Sequence, residues 1–262
     1  MPAGELVVEP VTINSDIHMP ILEAKDLVKS FRRRRVVNGI SLRVERGQII
    51  GLLGVNGAGK TTSFKMICGM LPPDSGQVFL KGQDVTNWPM YKRSRECSMG
   101  YLAQESSVFQ NLTVEQNLIM MIEMQEIKGK RKKEFCDELL DRFNIAKIRK
   151  TKAGKVSGGE RRRLEIARCL VSDPEIVMLD EPFSGVDPIT VQSIQATIKL
   201  LKKAGISILI TDHAVREMLD IVDRGYVIAG GRVMFQGSPT EIWDNEDVRR
   251  KYLGNMRKRK VA

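Results

Sequence analysis

One glycine-rich segment, residues 54–61, constrains this chain more than any other feature. It reads Gly-Val-Asn-Gly-Ala-Gly-Lys-Thr and fits the pattern G-x-x-x-x-G-K-[ST] without a gap. An apolar run typical of a buried strand, residues 48–53, precedes it, and a helical pattern starting at Thr62 follows it. Glycines allow backbone N–H groups to wrap around phosphate oxygens, where a Cβ atom would clash, and the helix adds its positive dipole end. The segment therefore predicts a strand, a loop and a helix that together bind a nucleoside triphosphate.

Within this phosphate loop, Lys60 is expected to reach the β- and γ-phosphates, and the Thr61 hydroxyl is expected to ligate Mg²⁺. The alternative is a glycine-rich turn with an incidental lysine, which the complete match and the two correct flanks disfavour. The residues predicted to contact the nucleotide are Gly54, Val55, Asn56, Gly57, Ala58, Gly59, Lys60, Thr61 and Thr62.

Two adjacent acids, Asp180 and Glu181, follow the short apolar run 176–179. Successive residues of a strand face opposite sides, so the two carboxylates are predicted to differ in role. Asp180 is the candidate that holds Mg²⁺, and Glu181 is the candidate general base that polarises the attacking water. His213 follows another apolar run, residues 207–211, and could contact the γ-phosphate from the same edge of the sheet. The alternatives are acids that only mark a strand exit and a structural histidine, and both are disfavoured beside a complete phosphate loop.

Apolar runs of strand length alternate with helical patterns, which is typical of an α/β layered core. Alternating apolar and polar residues over 22–27 and 40–44 predict further strands in antiparallel pairing. Thr113 and Gln116 have the spacing of a helix capping box. The basic and mostly helical stretch from about residue 107 to residue 163 interrupts the core pattern, and we interpret it as an inserted helical subdomain.

Composition limits the class of protein but does not choose a partner. The chain has 262 residues, with 42 Lys and Arg against 32 Asp and Glu, and its net charge of +10 suits nucleic acid, a lipid surface or a nucleotide. No apolar run approaches the roughly 20 residues that a membrane-spanning helix needs, and the N-terminus lacks the pattern of a secretory signal. The four cysteines form no CxxC pair, so neither a disulfide framework nor a cysteine metal site is expected.

A second glycine-containing segment, residues 156–160, reads Val-Ser-Gly-Gly-Glu and precedes a helical pattern that begins near Glu160. It predicts a second helix N-terminus that can receive an anion. We call it the signature segment, because it resembles the signature sequence of ATP-binding cassette (ABC) transporters. The resemblance covers roughly residues 21–254 and rests on the order of six elements: the phosphate loop, Gln104, the signature segment, the acids Asp180 and Glu181, residues 184–187 and His213.

The resemblance implies a fold and a domain organisation. The fold is α/β: a P-loop NTPase (RecA-like) core with an antiparallel β-subdomain and an inserted α-helical subdomain. The ATPase domain would span residues 21–254, with the helical subdomain at about 107–165. Residues 1–20 would form a flexible N-terminal extension, and residues 255–262 a basic C-terminal tail.

The resemblance also implies ATP and Mg²⁺ as ligands and a head-to-tail homodimer in the ATP-bound state. Each ATP would lie between the phosphate loop of one copy and the signature segment of the other, since one chain carries two phosphate-receptive sites but a single phosphate loop. Gln104 would touch Mg²⁺ or the attacking water, Asp187 would lie at the dimer seam and Phe31 would stack on adenine. Contact with the ATP of the opposite copy is implied for Ser157, Gly158, Gly159 and Glu160.

Several runs resemble the ATPase subunits of bacterial lipopolysaccharide exporters, namely residues 158–168, 180–188, 211–217 and 252–254. ATPases of branched-chain amino acid importers share the Arg-rich helix and the terminal Tyr-Leu-Gly, but residues 211–217 favour the exporter. The resemblance implies integral membrane permease subunits as partners and a place on the cytoplasmic face of the inner membrane. Phe109 is the candidate that enters the permease's coupling-helix groove, with an ordinary core phenylalanine as the alternative. The two terminal segments could contact anionic lipid.

Two further classes are weighed against a transport ATPase. A soluble ABC ATPase acting on ribosomes or DNA would suit the net charge of +10, but such proteins usually join two cassettes or insert a coiled coil, and neither pattern is present. A kinase or a GTPase is disfavoured by the signature segment and by His213. No specific nucleic-acid partner is therefore expected.

Overall fold

The computed structural model of the protein describes residues 19–254 and residue 256. The predicted N-terminal extension and basic tail, together with any lipid contact assigned to them, lie almost wholly outside these residues. The strands are β1 Leu22–Phe31, β2 Arg34–Val44, β3 Ile49–Gly54, β4 Ser75–Leu80, β5 Gln83–Asp84, β6 Met99–Leu102, β7 Ile176–Asp180, β8 Ser207–Thr211, β9 Arg224–Ala229 and β10 Arg232–Gly237. The helices are α1 Lys60–Cys68, α2 Met90–Cys97, α3 Val114–Met124, α4 Gly129–Arg142, α5 Gly158–Cys169, α6 Pro188–Lys203, α7 Val215–Leu219, α8 Pro239–Asp244 and α9 Glu246–Val248, followed by a π-helical turn at Arg249–Leu253.

Six strands form the central sheet in the order β10-β9-β3-β8-β7-β6. Its strands run parallel except for β10, which pairs antiparallel with β9 at the edge. Every residue of β3, β7 and β8 is buried, as expected for parallel strands covered on both faces. The predicted α/β core of the P-loop NTPase kind is therefore confirmed.

The strand order decides which loops meet. β8 lies between β3, which leads into the phosphate loop, and β7, which ends at Asp180. Parallel strands present their carboxyl ends at one edge of a sheet, so the residues that follow β3, β8 and β7 lie side by side there. His213, which follows β8, is thereby placed between the phosphate loop and the two acids.

Four strands form a second, antiparallel sheet in the order β2-β1-β4-β5, as the alternation over 22–27 and 40–44 predicted. In β1 the inward positions are Leu22 and Ala24, and then Leu27 instead of residue 26. A bulge explains the shift, because Asp26 has a φ of 47° and the pairing register with β2 changes between residues 24 and 27. The extra residue keeps Leu27 on the buried face.

Apolar side chains cover the central sheet on both faces. On one face, Leu27 and Ile40 of the antiparallel sheet pack with Phe64 of α1. On the other, Leu118 of α3 and Ile198 of α6 belong to a cluster with the strand residues. These residues are 0% exposed, and each contributes about 1.5–3 kcal/mol through burial. The sheet edge that carries the phosphate loop is therefore held rigidly from both sides.

The stretch interpreted as a helical insertion contains α3, α4 and the start of α5. The predicted capping box is present, since the Thr113 hydroxyl accepts from the Gln116 N–H at 3.1 Å and the Gln116 side chain accepts from the Thr113 N–H at 2.8 Å. α5 begins at Gly158, earlier than predicted, because Ser157 already serves as its N-cap. Among the described residues, no helix is long and apolar enough to cross a membrane.

Candidate active site

The phosphate loop turns through two glycines that other residues could not replace without a clash. Gly54 has a φ of 144°, and a Cβ atom there would lie 2.2 Å from the carbonyl oxygen of Ile228. Gly59 has a φ of 108°, and its Cβ would lie 2.8 Å from the carbonyl oxygen of Val36. Neighbouring strands thus press the loop into place, and α1 begins directly after Gly59 with its first N–H groups towards the loop.

Lys60 is folded back onto the loop and is 5% exposed. Its Nζ donates to the carbonyl oxygens of Gly54 at 2.6 Å and Val55 at 3.1 Å. Burial lowers the pKa of the ammonium group, while the carboxylates of Glu181 and Asp212 act in the opposite direction. The carbonyl oxygens are neutral acceptors, so an anionic phosphate oxygen is a stronger partner for the same charge.

An open cavity of about 270 Å³ lies over the loop. The middle of the phosphate loop and the first turn of α1 form most of its wall, and His213 closes it from the end of β8. Its lining residues are Val36, Asn56, Gly57, Gly59, Lys60, Thr61, Thr62 and His213. The structure therefore brings His213 to the predicted phosphate site, while Gly54, Val55 and Ala58 shape the loop without lining the cavity.

Glu181 does not have the backbone conformation expected of a strand residue. β7 ends at Asp180, and Glu181 has a left-handed φ of 46°, so strand alternation is the wrong reason for the two acids to point apart. Both oxygens of Glu181 have partners: Gln104 Nε2 donates to Oε2 at 2.8 Å, and His213 Nε2 lies 2.9 Å from Oε1. Three residues from three separate loops therefore meet at one carboxylate.

Asp180 is buried beside other negative charge. It is 5% exposed, and burial followed by the neighbouring Glu181 carboxylate raises its pKa. The Tyr101 hydroxyl lies 3.5 Å from Asp180 Oδ2. Sequence reasoning missed Tyr101, and its one signal is a position on β6, the strand that leads towards Gln104.

Asp212 is a second residue that sequence reasoning missed. It is 2% exposed, and its carboxylate accepts from the backbone N–H of Phe183 at 2.7 Å and of Ala214 at 2.9 Å. It thereby joins the turn after β7 to the turn after β8. The available signal was an acid immediately before His213 at the end of a fully apolar strand.

The signature segment forms the N-terminus of α5. The Ser157 hydroxyl accepts from the Glu160 N–H at 3.3 Å, and the Glu160 carboxylate accepts from the Ser157 N–H at 2.8 Å. Gly158 has open space where a Cβ would lie, whereas a Cβ on Gly159 would come within 3.0 Å of Thr190 Oγ1. Among the residues that line the cavity over the phosphate loop, none belongs to the signature segment.

Thr190 connects the signature segment to Asp187. The Thr190 hydroxyl donates to Asp187 Oδ2 at 2.6 Å, and Asp187 caps α6 by accepting from the N–H groups of Ile189 and Thr190, each at 3.0 Å. The two segments that the resemblance assigns to a dimer seam therefore lie next to each other in one chain.

The two aromatic candidates are both half exposed, at 47%. Phe31 ends β1, opposite Arg34 across the hairpin. Phe109 has the Arg168 guanidinium 5.1 Å from its ring centre, and its backbone N–H and carbonyl are bonded to the Asn117 side chain at 2.9 and 3.0 Å. Phe109 is therefore not an ordinary core residue.

The fold and the site together define an ATPase of the phosphate-loop class. The sequence model of the family described as "ABC transporter" matches residues 37–184. The chain is 52% identical over 234 residues to an uncharacterised ABC transporter ATP-binding protein of Rhizobium meliloti, covering 89% of this chain and 86% of that protein. It is 44% identical over 239 residues to the lipopolysaccharide export system ATP-binding protein LptB of Haemophilus influenzae, covering 91% and 99%.

A solved structure shows the same architecture. The ADP conformation of MJ1267, an ATP-binding cassette of an ABC transporter, superposes with a TM-score of 0.80 at 26% identity, over 90% of this chain and all of that one. The chain belongs to the ABC transporter family. It is an ATP-hydrolysing subunit of the kind that dimerises and works with membrane permease partners.

Proposed function

We propose that two copies of this chain close head to tail around two ATP molecules. The main observation is that the chain has a complete phosphate loop and a signature segment whose Ser157 and Gly158 are exposed but do not line the cavity over that loop. Ser157 and Gly158 lie exposed at this second helix N-terminus, where an anion can bind, and a two-fold dimer would supply the ATP of the opposite copy. Asp187 would then lie at the seam through its contact with Thr190.

A mixing experiment tests this arrangement. Lys60→Ala disables the phosphate loop, and Ser157→Arg disables the signature segment, so each variant alone is expected to be inactive. In a mixed dimer, one ATP site combines the intact loop of one variant with the intact signature segment of the other. An equal mixture should therefore regain up to about a quarter of the wild-type ATPase rate, because half of the dimers are mixed and each has one complete site.

The control is each variant assayed alone at the same total protein concentration, and both should stay inactive. If the two variants together remain as inactive as each alone, while both still dimerise with wild-type protein, each ATP is bound within a single chain and the proposal fails.

The residues around the acids also fit Mg²⁺. Asp180 and Glu181 place two carboxylates together, and burial followed by the charge of Glu181 raises the pKa of Asp180, although Lys65 acts in the opposite direction. The hydroxyl of Thr61, the amide oxygen of Gln104 and the carboxylate of Asp180 are the oxygen ligands that this cation prefers. When bound, Mg²⁺ would neutralise charge on the phosphates.

Around the phosphates, each side chain has a proposed role. Lys60 binds the β- and γ-phosphates, and Glu181 accepts the proton of the attacking water. His213 holds Glu181 and faces the γ-phosphate from the end of β8. Phe31, which is exposed at the end of β1, stacks on adenine. The positions of three of these residues support their roles, because Lys60 and His213 line one cavity and Glu181 lies within 3 Å of His213.

The transport process that we propose for the ATPase is lipopolysaccharide export. Relatives named as lipopolysaccharide export system ATP-binding proteins are 44–46% identical to this chain over about nine-tenths of its length. Purification from its native membrane with its integral membrane partners, followed by transfer of lipopolysaccharide from proteoliposomes, is the direct test. ATP-dependent uptake of a branched-chain amino acid by the same complex would replace the proposal.

The permease contact is proposed for the loop that follows β6. Phe109 is exposed on this loop. Two arginines of α5 bind the loop: Arg162 donates to the Ala103 carbonyl at 3.1 Å, and Arg168 donates to the Ser107 carbonyl. Movement of the permease against Phe109 would therefore reach both Gln104 and the signature segment at the start of α5. This contact would keep the protein on the cytoplasmic face of the inner membrane, with the helical subdomain at about 107–165 facing the permease.

A further inference from the structure

The carboxylate of Asp212 has an environment that stability alone does not explain. It is buried, and its carboxylate oxygens accept from backbone N–H groups. Burial raises its pKa, which shows that the charged form is disfavoured there, even though backbone N–H groups of Ala214, Phe183 and His213 oppose the shift. The contacts of its two carboxylate oxygens therefore decide what this buried acid does.

Asp212 bridges the two turns that carry the reactive side chains. Its Oδ2 accepts from the N–H of Phe183, two residues after Glu181, and its Oδ1 accepts from the N–H of Ala214, one residue after His213. The N–H of Glu181 in turn donates to the Thr211 carbonyl at 2.8 Å. Two hydrogen bonds, one at Glu181 and one at Phe183, therefore join the turn after β7 to the end of β8.

Glu181 needs such a restraint. Its φ of 46° is unfavourable for a residue with a side chain, and a conformation of that kind persists only where surrounding bonds impose it. Without the bond from Phe183, the turn could relax to an ordinary conformation. The carboxylate of Glu181 would then move away from Gln104 and from His213.

We propose that Asp212 is a positioning residue for ATP hydrolysis, which holds the Glu181 carboxylate and the His213 imidazole in their relative places. Asp212 is not among the residues that line the cavity over the phosphate loop. An asparagine cannot replace it, because the amide offers one acceptor oxygen to two N–H donors and turns its own NH₂ group towards one of them.

The test compares Asp212→Asn with a matched control, Asp223→Asn. Asp223 also accepts a backbone N–H, from Ile49 at 2.8 Å, and it also pairs with Lys202, but it lies at the opposite end of the sheet, where β3 begins. We expect kcat of Asp212→Asn to fall about 100-fold, as for a displacement of about 1 Å, with unchanged ATP affinity. Asp223→Asn should lower the melting temperature and leave kcat unchanged.

Two results would overturn the proposal. One is a wild-type kcat for Asp212→Asn. The other is a joint loss of kcat, ATP affinity and melting temperature, since that pattern marks a merely structural residue.

A measurement on the wild-type protein covers the case in which the variant does not fold. The backbone N–H groups of Phe183 and Ala214 lie in turns, and the bonds to Asp212 should protect them from hydrogen exchange. If both exchange as fast as unprotected turn residues, the bridge is absent in solution and the proposal is wrong.

Discussion

Replacing Glu181 by glutamine separates ATP binding from ATP hydrolysis, and the structure allows the sizes of the two effects to be compared. The glutamine has the same shape as the glutamate and can still accept from Gln104 through its carbonyl oxygen. At most one contact, the one with His213, is lost or reversed, and this costs up to about 1 kcal/mol in a half-exposed position. Folding and nucleotide binding should therefore survive.

The effect on turnover is larger. An amide cannot accept the proton of the attacking water, and the loss of a general base lowers kcat by about 100- to 10,000-fold. This corresponds to about 2.7–5.5 kcal/mol in the activation free energy, which exceeds the structural cost severalfold. Glu181→Gln should therefore bind ATP normally, release phosphate very slowly and accumulate as an ATP-bound dimer.

Three measurements check this expectation on one preparation: equilibrium binding of a fluorescent ATP analogue, phosphate release under saturating ATP, and size-exclusion chromatography with and without ATP. Turnover of Glu181→Gln close to the wild-type rate would remove Glu181 from the role of general base. A parallel loss of ATP binding would show that the residue acts through the phosphate loop.

Lys60→Ala removes the buried charge of the phosphate loop and should weaken ATP binding by about 10- to 100-fold. Titration with a fluorescent ATP analogue would show this, and undiminished affinity would contradict the assignment of the phosphate loop. Phe109→Ala should spare the ATPase activity of the isolated subunit and abolish co-purification with the permease, whereas lost activity would mark Phe109 as necessary for folding. Asp180→Asn should stabilise the nucleotide-free protein at pH values above the folded-state pKa of Asp180, and this stabilisation should shrink as the pH falls through that pKa. The raised pKa of Asp180 means that its contribution to stability is present at low pH and lost as the pH rises through that pKa, so the neutral amide has its advantage at high pH. Thermal melts of the variant and the wild-type protein over a pH series test this, and a difference in melting temperature that does not vary with pH would show that ionisation of Asp180 carries no cost.

The sequence allowed the main local features to be predicted because they depend on residues close together in the chain. The turns at Gly54 and Gly59 and the start of α1 follow from a pattern of eight residues. The capping box of Thr113 and Gln116 follows from a spacing of three. Each of these features has one favourable local conformation, so a short pattern was enough.

The conformation of Glu181 could not be predicted in this way. Alternation along a strand assumed that β7 continues through Glu181, but the strand ends one residue earlier. Hydrogen bonds that the backbone N–H groups of this turn donate to Thr211 and Asp212, about thirty residues away in the chain, impose the left-handed conformation. The sequence contains no local sign of them.

What the sequence by itself determined is a phosphate loop, a pair of acids and the buried strands that carry them, since glycine sterics, helix starts and burial act over a few residues. Only the tertiary structure decided that β8 lies between β3 and β7, and this order brings His213, Gln104 and Glu181 together. Strand order results from the packing of the whole sheet, in which residues far apart in the chain become neighbours. In the sequence, Asp212 is only an acid next to a histidine, and its role could not be predicted because its partners are distant in the chain. In the structure it joins the two turns on which we expect catalysis to depend.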